Sequence, residues 1–394
     1  MRHSRLLVLT ALAQCAAILP LQAAPAPQPL PLPPAIMAAQ DVTYPGTLQL
    51  EVDATDITRG IFRMKETIPV AATGPMTLLY PKWLPGHHSP VGPVDKLAGL
   101  VIKADGKRIA WTRDTVDVFA FHIDVPAGTT RLDLEYEFLS PVAPHQGRKV
   151  TTPNMLNLQW NAVTLYPASY FARNITVRAS VTLPDGWTLA TALETVSTEG
   201  ALTRFKTTPF DRLVDSPIFA GRYFKSIDLD PGSPIPVRLN VVADAPEDLE
   251  TTPEQIAIHR AMVQQADKLF QSRHYDHYDF LLALSDELGG IGLEHHRSSE
   301  NGVRPGYFAK WDTGGPERSL LPHEYTHSWN GKFRRAADLW TPTFNEPMRD
   351  SLLWVYEGQT QYWGSVLAAR SGLVSKQQAL DELAGYGVEV TLAR

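Results

Sequence analysis

The chain has 394 residues, 44% hydrophobic and 20% charged, with nine Trp and fourteen Phe. That much apolar side chain can bury one or two substantial cores and excludes a predominantly disordered chain. A formal net charge of −6 argues against nucleic acid or an anionic membrane surface as the main partner.

Residues 1–24 read as a secretory signal peptide. Arg2 and Arg5 open the segment, Leu6 to Leu19 is apolar, and Ala23 and Ala24 close it. The apolar run is shorter than the ~20 residues of a spanning helix, and no second run is long enough, so stable membrane insertion after signal removal is not expected. The implied destination is the periplasm or the exterior. The sole cysteine, Cys15, lies inside the segment. The mature chain is therefore expected to carry no disulfide, thiolate nucleophile or cysteine-bound metal. Losing Arg2 and Arg5, with no acid lost, would carry the net charge from −6 to −8.

Residues 25–40 form a proline-rich linker, opening PAPQPLPLPPAI. From 41 to 245 the pattern is strand-like. TLQLEVDA, FRMKETIPV, TRLDLEYEFL, ITVRASVTL and PVRLNVVA alternate or are rich in β-branched and aromatic residues, with turn signals at ADGK and LPDGW. An antiparallel β-sandwich or saddle is expected. Near Ala245 the character changes. Thr252 and Pro253 open a helix, YDFLLAL reads as a buried strand, and helices are expected over about 317–331, 350–370 and 375–392. The fold class is α+β, and residues 246–394 are a mostly helical second domain.

Residues 323–327 read His-Glu-Tyr-Thr-His. On a helix, His323 and His327 lie one turn apart on one face, where both imidazoles can hold one ion. Glu324 beside them can act as general base toward a metal-activated water. Zinc needs a third protein ligand and an open position. Glu357, in the helical stretch SLLWVYEGQTQYW, can supply it, with Leu353, Trp354 and Gln361 on adjoining faces to fix it against the first helix.

HEYTHSWNGK followed by SLLWVYEGQTQYWGSVLAARSGL resembles the glycyl aminopeptidase family of gluzincin zinc peptidases, relatives of aminopeptidase N. His323, Glu324, His327, Trp329 and Asn330 match its HExxHxWN element. Leu353, Trp354, Glu357, Gly358, Thr360 and Tyr362 match LWxxEGxTxYY, with Trp363 in place of the last Tyr. The resemblance implies a thermolysin-like catalytic domain, one zinc ion on His323, His327 and Glu357, and Glu324 as base. GGIGLEHHRSS also matches, through Gly292, Leu293, Glu294, His295 and Ser298. An edge strand there can pair with an extended substrate, and Glu294 can hold its free ammonium group. That implies an aminopeptidase acting on peptides with a free N-terminus, small residues (Gly or Ala) preferred. His295 and His296 are then supporting or loop histidines.

YPKWLPGHHSPVGPVDKLAGL resembles the family's W-x-PG segment. His87 and His88, read as neighbours on a strand, would face opposite ways and be structural or substrate-facing at most. One departure stands out. The family's later oxyanion-stabilising tyrosine has no match here, and Tyr325, Tyr356, Tyr362 and Tyr386 lie outside that motif. A C-terminally incomplete chain is expected. The alternatives are a zinc endopeptidase and a non-catalytic, metal-containing binding protein. An intact Glu324 argues against the latter, since a structural site needs no base.

Overall fold

The computed structural model describes residues 29–313 and 316–392. The expected leader, with Cys15, lies outside them. Within the described residues the first unit is built from three sheets sharing one core. A nine-stranded sheet has Thr47–Asp56, Ile61–Pro69, Arg131–Leu139 and Leu97–Ala104 as successive neighbours. Its residues alternate buried and exposed, as a sheet with one wet face requires. A four-stranded sheet around Gly74–Leu79 and Ala120–Val125 and a three-stranded sheet around Ile218–Gly221 complete the core. Leu50, Phe62, Phe121, Leu134 and Trp160 all pack within it. The expectation of an antiparallel sandwich is corrected at one pairing: Thr47–Asp56 runs parallel to Thr176–Thr182. Parallel neighbours need a long crossover, and most of the unit's strands lie inside it.

Glu66 is buried in this core. Its carboxylate accepts hydrogen bonds from the Tyr136 hydroxyl (2.6 Å), the Thr164 hydroxyl (3.0 Å) and the Leu165 N–H (3.1 Å). Burial still pushes its carboxyl up to about 7. The short helix α1 (Phe210–Val214) packs against the same core.

The second unit begins earlier than expected. Tyr223–Asp228 pairs with Val237–Ala243, which runs parallel to Tyr278–Leu284, then Ser298–Val303, with Ile291–Glu294 at the sheet edge. The change of sheet thus falls between Gly221 and Tyr223, and the strand PVRLNVVA belongs to the second unit. That unit is a five-stranded mixed sheet covered by helices. Met155 and Phe219 of the first unit meet Val242, Leu281 and Ala283 of the second in a small apolar joint.

Helix α2 (Pro253–Phe270) starts on a capping box between Thr252 and Gln255, as its sequence signals, and stops at Gln271 in the left-handed region. Helix α3 (Leu320–Thr326) carries His323 and ends on His327 as its C-cap, α4 (Leu353–Ser371) carries Glu357, and α5 (Lys376–Leu392) packs on α4. The α5 residues Leu380 and Leu383 are exposed.

Candidate metal centre

Helix α3 is short. The chain stays near helical through Trp329 and breaks at Asn330 and Gly331, the latter at φ 140°. The Asn330 side chain donates to the Val355 carbonyl (3.0 Å), the Tyr356 carbonyl (3.1 Å) and the Thr360 hydroxyl (3.0 Å) of α4. Its backbone carbonyl accepts from His327 Nδ1 at 3.0 Å. That bond sends the other nitrogen, Nε2, toward Glu357. The two helices nearly touch: a Cβ on Gly364 would lie 2.8 Å from His323 Cα.

His323 Nε2 and His327 Nε2 lie 3.5 Å and 3.4 Å from Glu357 Oε2. Metal–ligand bonds of ~2.0–2.2 Å at tetrahedral angles place neighbouring donors about 3.4 Å apart, so this donor set fits one zinc ion. The structure therefore brings together the three expected ligands. Trp354 corrects one detail. Expected to fix Glu357 against the first helix, it is 74% exposed, and Asn330 makes that link instead.

Glu294 and Glu324 are both buried, and their carboxylate oxygens and a ring nitrogen of His327 lie within 4.8 Å of one another. Burial raises the Glu324 carboxyl, and the charges of Glu294 and Glu357 add to the rise against the pull of His323 and His327. Burial also disfavours ionised Glu294, but His327, Lys332, the Tyr356 hydroxyl and His88 hold it well below the ordinary range. The two adjacent acids thus sit in environments that push their pKa values apart. The Tyr356 hydroxyl donates to Glu294 Oε1. Oε2 has no hydrogen-bond partner among the described residues.

Gly292, Leu293 and Glu294 lie on the expected edge strand, the last of the five-stranded sheet. His295 is held between Asp215 (3.2 Å) and Glu300 (3.1 Å), and these acids raise it to about 9 despite burial; His296 also contacts Asp215. A cavity of about 550 Å³ runs past Leu293 and His295, bounded by Asp215, Lys332 and Trp340, but the three metal donors do not line it.

Sequence reasoning misplaced His87 and His88. They sit in a Pro85–Gly86 turn, not a strand, and His88 takes φ 50°. His88 Nε2 lies 2.9 Å from Glu357 Oε1. The Pro-Gly pair was the available signal, because it breaks the alternation that puts adjacent side chains on opposite faces.

The fold and donor set are of the metallopeptidase class. The model described as the Peptidase M61 N-terminal domain matches residues 49–222, ending where the sheets change, and that of the M61 glycyl aminopeptidase matches 317–390. The chain belongs to the M61 glycyl aminopeptidase family. No curated protein matches it. Among solved structures, it is similar to an aminopeptidase N family protein from Idiomarina loihiensis (TM-score 0.69, 18% identity, 85% of this chain and 56% of that one). It is also similar to the M1 zinc metallopeptidase from Deinococcus radiodurans (0.51, 15%, 90% and 76%). A variant of that enzyme with a Tyr-Ser-Ala substrate bound is similar too (0.50, 16%, 89% and 75%). The chain thus spans little more than half the length of the Idiomarina protein. No described helix is long and apolar enough to cross a membrane.

Proposed function

We propose that the chain is a zinc-dependent aminopeptidase removing N-terminal residues from peptides with a free amino group. One observation carries this reading: the buried Glu294 carboxylate stands on a sheet edge beside the general-base candidate and a metal-ligand histidine. Zinc held by His323, His327 and Glu357 supplies Lewis acidity, lowering the pKa of a water toward ~7 and polarising a carbonyl. Glu324 accepts the proton of the attacking water at a carboxylate oxygen and passes it to the leaving amine nitrogen. Glu294 Oε2 holds the substrate ammonium, and the Ile291–Glu294 edge aligns its backbone. The anchor sits so close to the base that only the first peptide bond falls within reach.

The family description supports a small first residue such as Gly or Ala. The sheet edge beside α3 supports a thermolysin-like arrangement of the second unit. The leader-like residues 1–24 support export to the periplasm or exterior.

The test is hydrolysis of glycyl and alanyl anilides and their N-acetylated forms, with and without chelator. Chelation abolishes turnover and acetylation makes poor substrates. Glu294→Ala lowers kcat/KM for free amines about 10–100-fold, the loss of one charged hydrogen bond. A parent that cleaves acetylated substrates as fast as free ones is an endopeptidase instead. A parent that binds zinc and cleaves neither is a binding protein.

A further inference from the structure

The metal ligands all come from α3, its C-cap and α4, yet one side chain of the first unit reaches them. Glu357 divides its carboxylate. Oε2 faces both ligand imidazoles, at 3.5 Å and 3.4 Å, while Oε1 lies 2.9 Å from His88 Nε2. Nδ1 of His88 is buried with no partner. A proton on Nδ1 would be an unsatisfied buried donor, so the neutral ring carries its proton on Nε2, where an acceptor waits. His88 is not among the donors that converge on one point, so it backs the ligand rather than joining it.

The turn that presents His88 is tied down on both sides. The N–H groups of His87 and His88 both donate to the Leu84 carbonyl at 3.1 Å, and the Ser89 hydroxyl donates to the His87 carbonyl at 2.8 Å. A Cβ on Gly86 would fall 2.5 Å from Leu293 Cδ1 and 2.8 Å from Glu294 Oε2, so the turn lies directly on the substrate-edge strand. The His88 ring stands edge-on to Tyr356, centroids 4.8 Å apart. His88 also holds φ 50°, a conformation a branched or bulky residue pays to adopt, and the surrounding contacts impose it.

We infer that His88 is a positioning residue for the metal site: its Nε2–H holds Oε1 of Glu357, so that only Oε2 is offered to the ion. A carboxylate without that donor is free to turn and offer both oxygens, which changes the coordination number and weakens the tetrahedral set. The first unit thereby completes a ligand set that the second unit supplies.

The inference rests on the zinc reading above but not on peptidase activity. Zinc affinity is measured by chelator competition on the full chain. Cobalt(II) absorption then reports coordination number, and thermal midpoints in chelator check the fold. A parent that binds no zinc defeats the zinc reading before any variant is compared. His88→Phe keeps a ring without the donor, and His88→Gln keeps an N–H donor near the Nε2 position. His88→Gly removes the side chain at a φ that glycine adopts freely. The expected result is a ~10–100-fold loss of zinc affinity in the Phe and Gly variants, with weaker cobalt absorption. The Gln variant stays within about threefold of the parent, far above the loss expected when the supporting contact goes. Parent-like affinity in His88→Gly, at a parent-like midpoint, overturns the inference. So does a Gln variant that fails as badly as Phe, since the donor would then be irrelevant.

Discussion

Gly292 lies against Glu324 so closely that a Cβ on it would come within 2.4 Å of the carboxylate Oε1. The same Cβ would meet Leu320 Cδ1 at 2.7 Å, so both the Ile291–Glu294 edge and the side chains that α3 sends toward it depend on a hydrogen at this position. Gly292→Ala must move the Glu324 carboxylate and the end of the Leu320 side chain by an ångström or so. A displacement of that size costs about 100-fold in turnover when reacting groups must align. We expect kcat for a glycyl anilide to fall by that order with zinc content unchanged, because none of the three ligands lies on the strand. Unchanged kcat would show that the edge does not position substrate against Glu324.

The bridge from Asn330 to the start of α4 makes a separate prediction. Asn330→Ala removes three donor contacts to the turn of helix that carries Glu357. The His327 Nδ1 bond to the residue-330 carbonyl is retained in form but loses its anchor. Zinc affinity, read by chelator competition, should fall ~10–100-fold, as is typical for groups that orient metal ligands. An affinity equal to the parent's would mean that helix packing at Gly364 alone sets the ligand geometry.

Stability should depend on pH through Glu66. Its folded pKa, about 7, lies above the ordinary value near 4.5. A raised carboxyl favours the folded state at low pH, and the advantage is lost as pH rises from about 4.5 through 7, where the folded state must ionise a buried acid. Glu66→Gln can keep the bonds from Tyr136 and Leu165 at its oxygen and turn its amide toward Thr164. The variant should melt above the parent at pH 8, with the difference shrinking toward pH 5. Thermal melts across that range check it. A constant offset would place the effect in packing instead of charge.

Local signals made much of this molecule legible. Thr252 and Pro253 announce the start of α2, and YDFLLAL, without a polar face, reads as the buried strand it is. The facing of His323 and His327 was legible because i and i+4 on a helical stretch is a purely local relationship. What stayed hidden was non-local. The strand Val237–Ala243 is buried at six of its seven positions, and nothing in such a run says which sheet receives it. Its parallel partner, Tyr278–Leu284, lies beyond an entire helix. His88 and Trp354 failed for a related reason: a turn geometry and a helix neighbour, neither written in side-chain periodicity, decide where they point.

The parallel pairing at the centre of the first unit bears on how the chain is made. Thr47 and Thr176, side by side in the sheet, are 129 positions apart. At ribosomal speeds of ~5–20 residues per second, that interval lasts roughly 6–26 s. Throughout it Thr47–Asp56 can form a hairpin with Ile61–Pro69, but its other edge has no partner yet. That edge belongs to a strand whose inward residues are Leu48, Leu50 and Val52, the kind of open border that recruits other chains. Variants that slow synthesis across the crossover should therefore lower soluble yield without altering the finished protein.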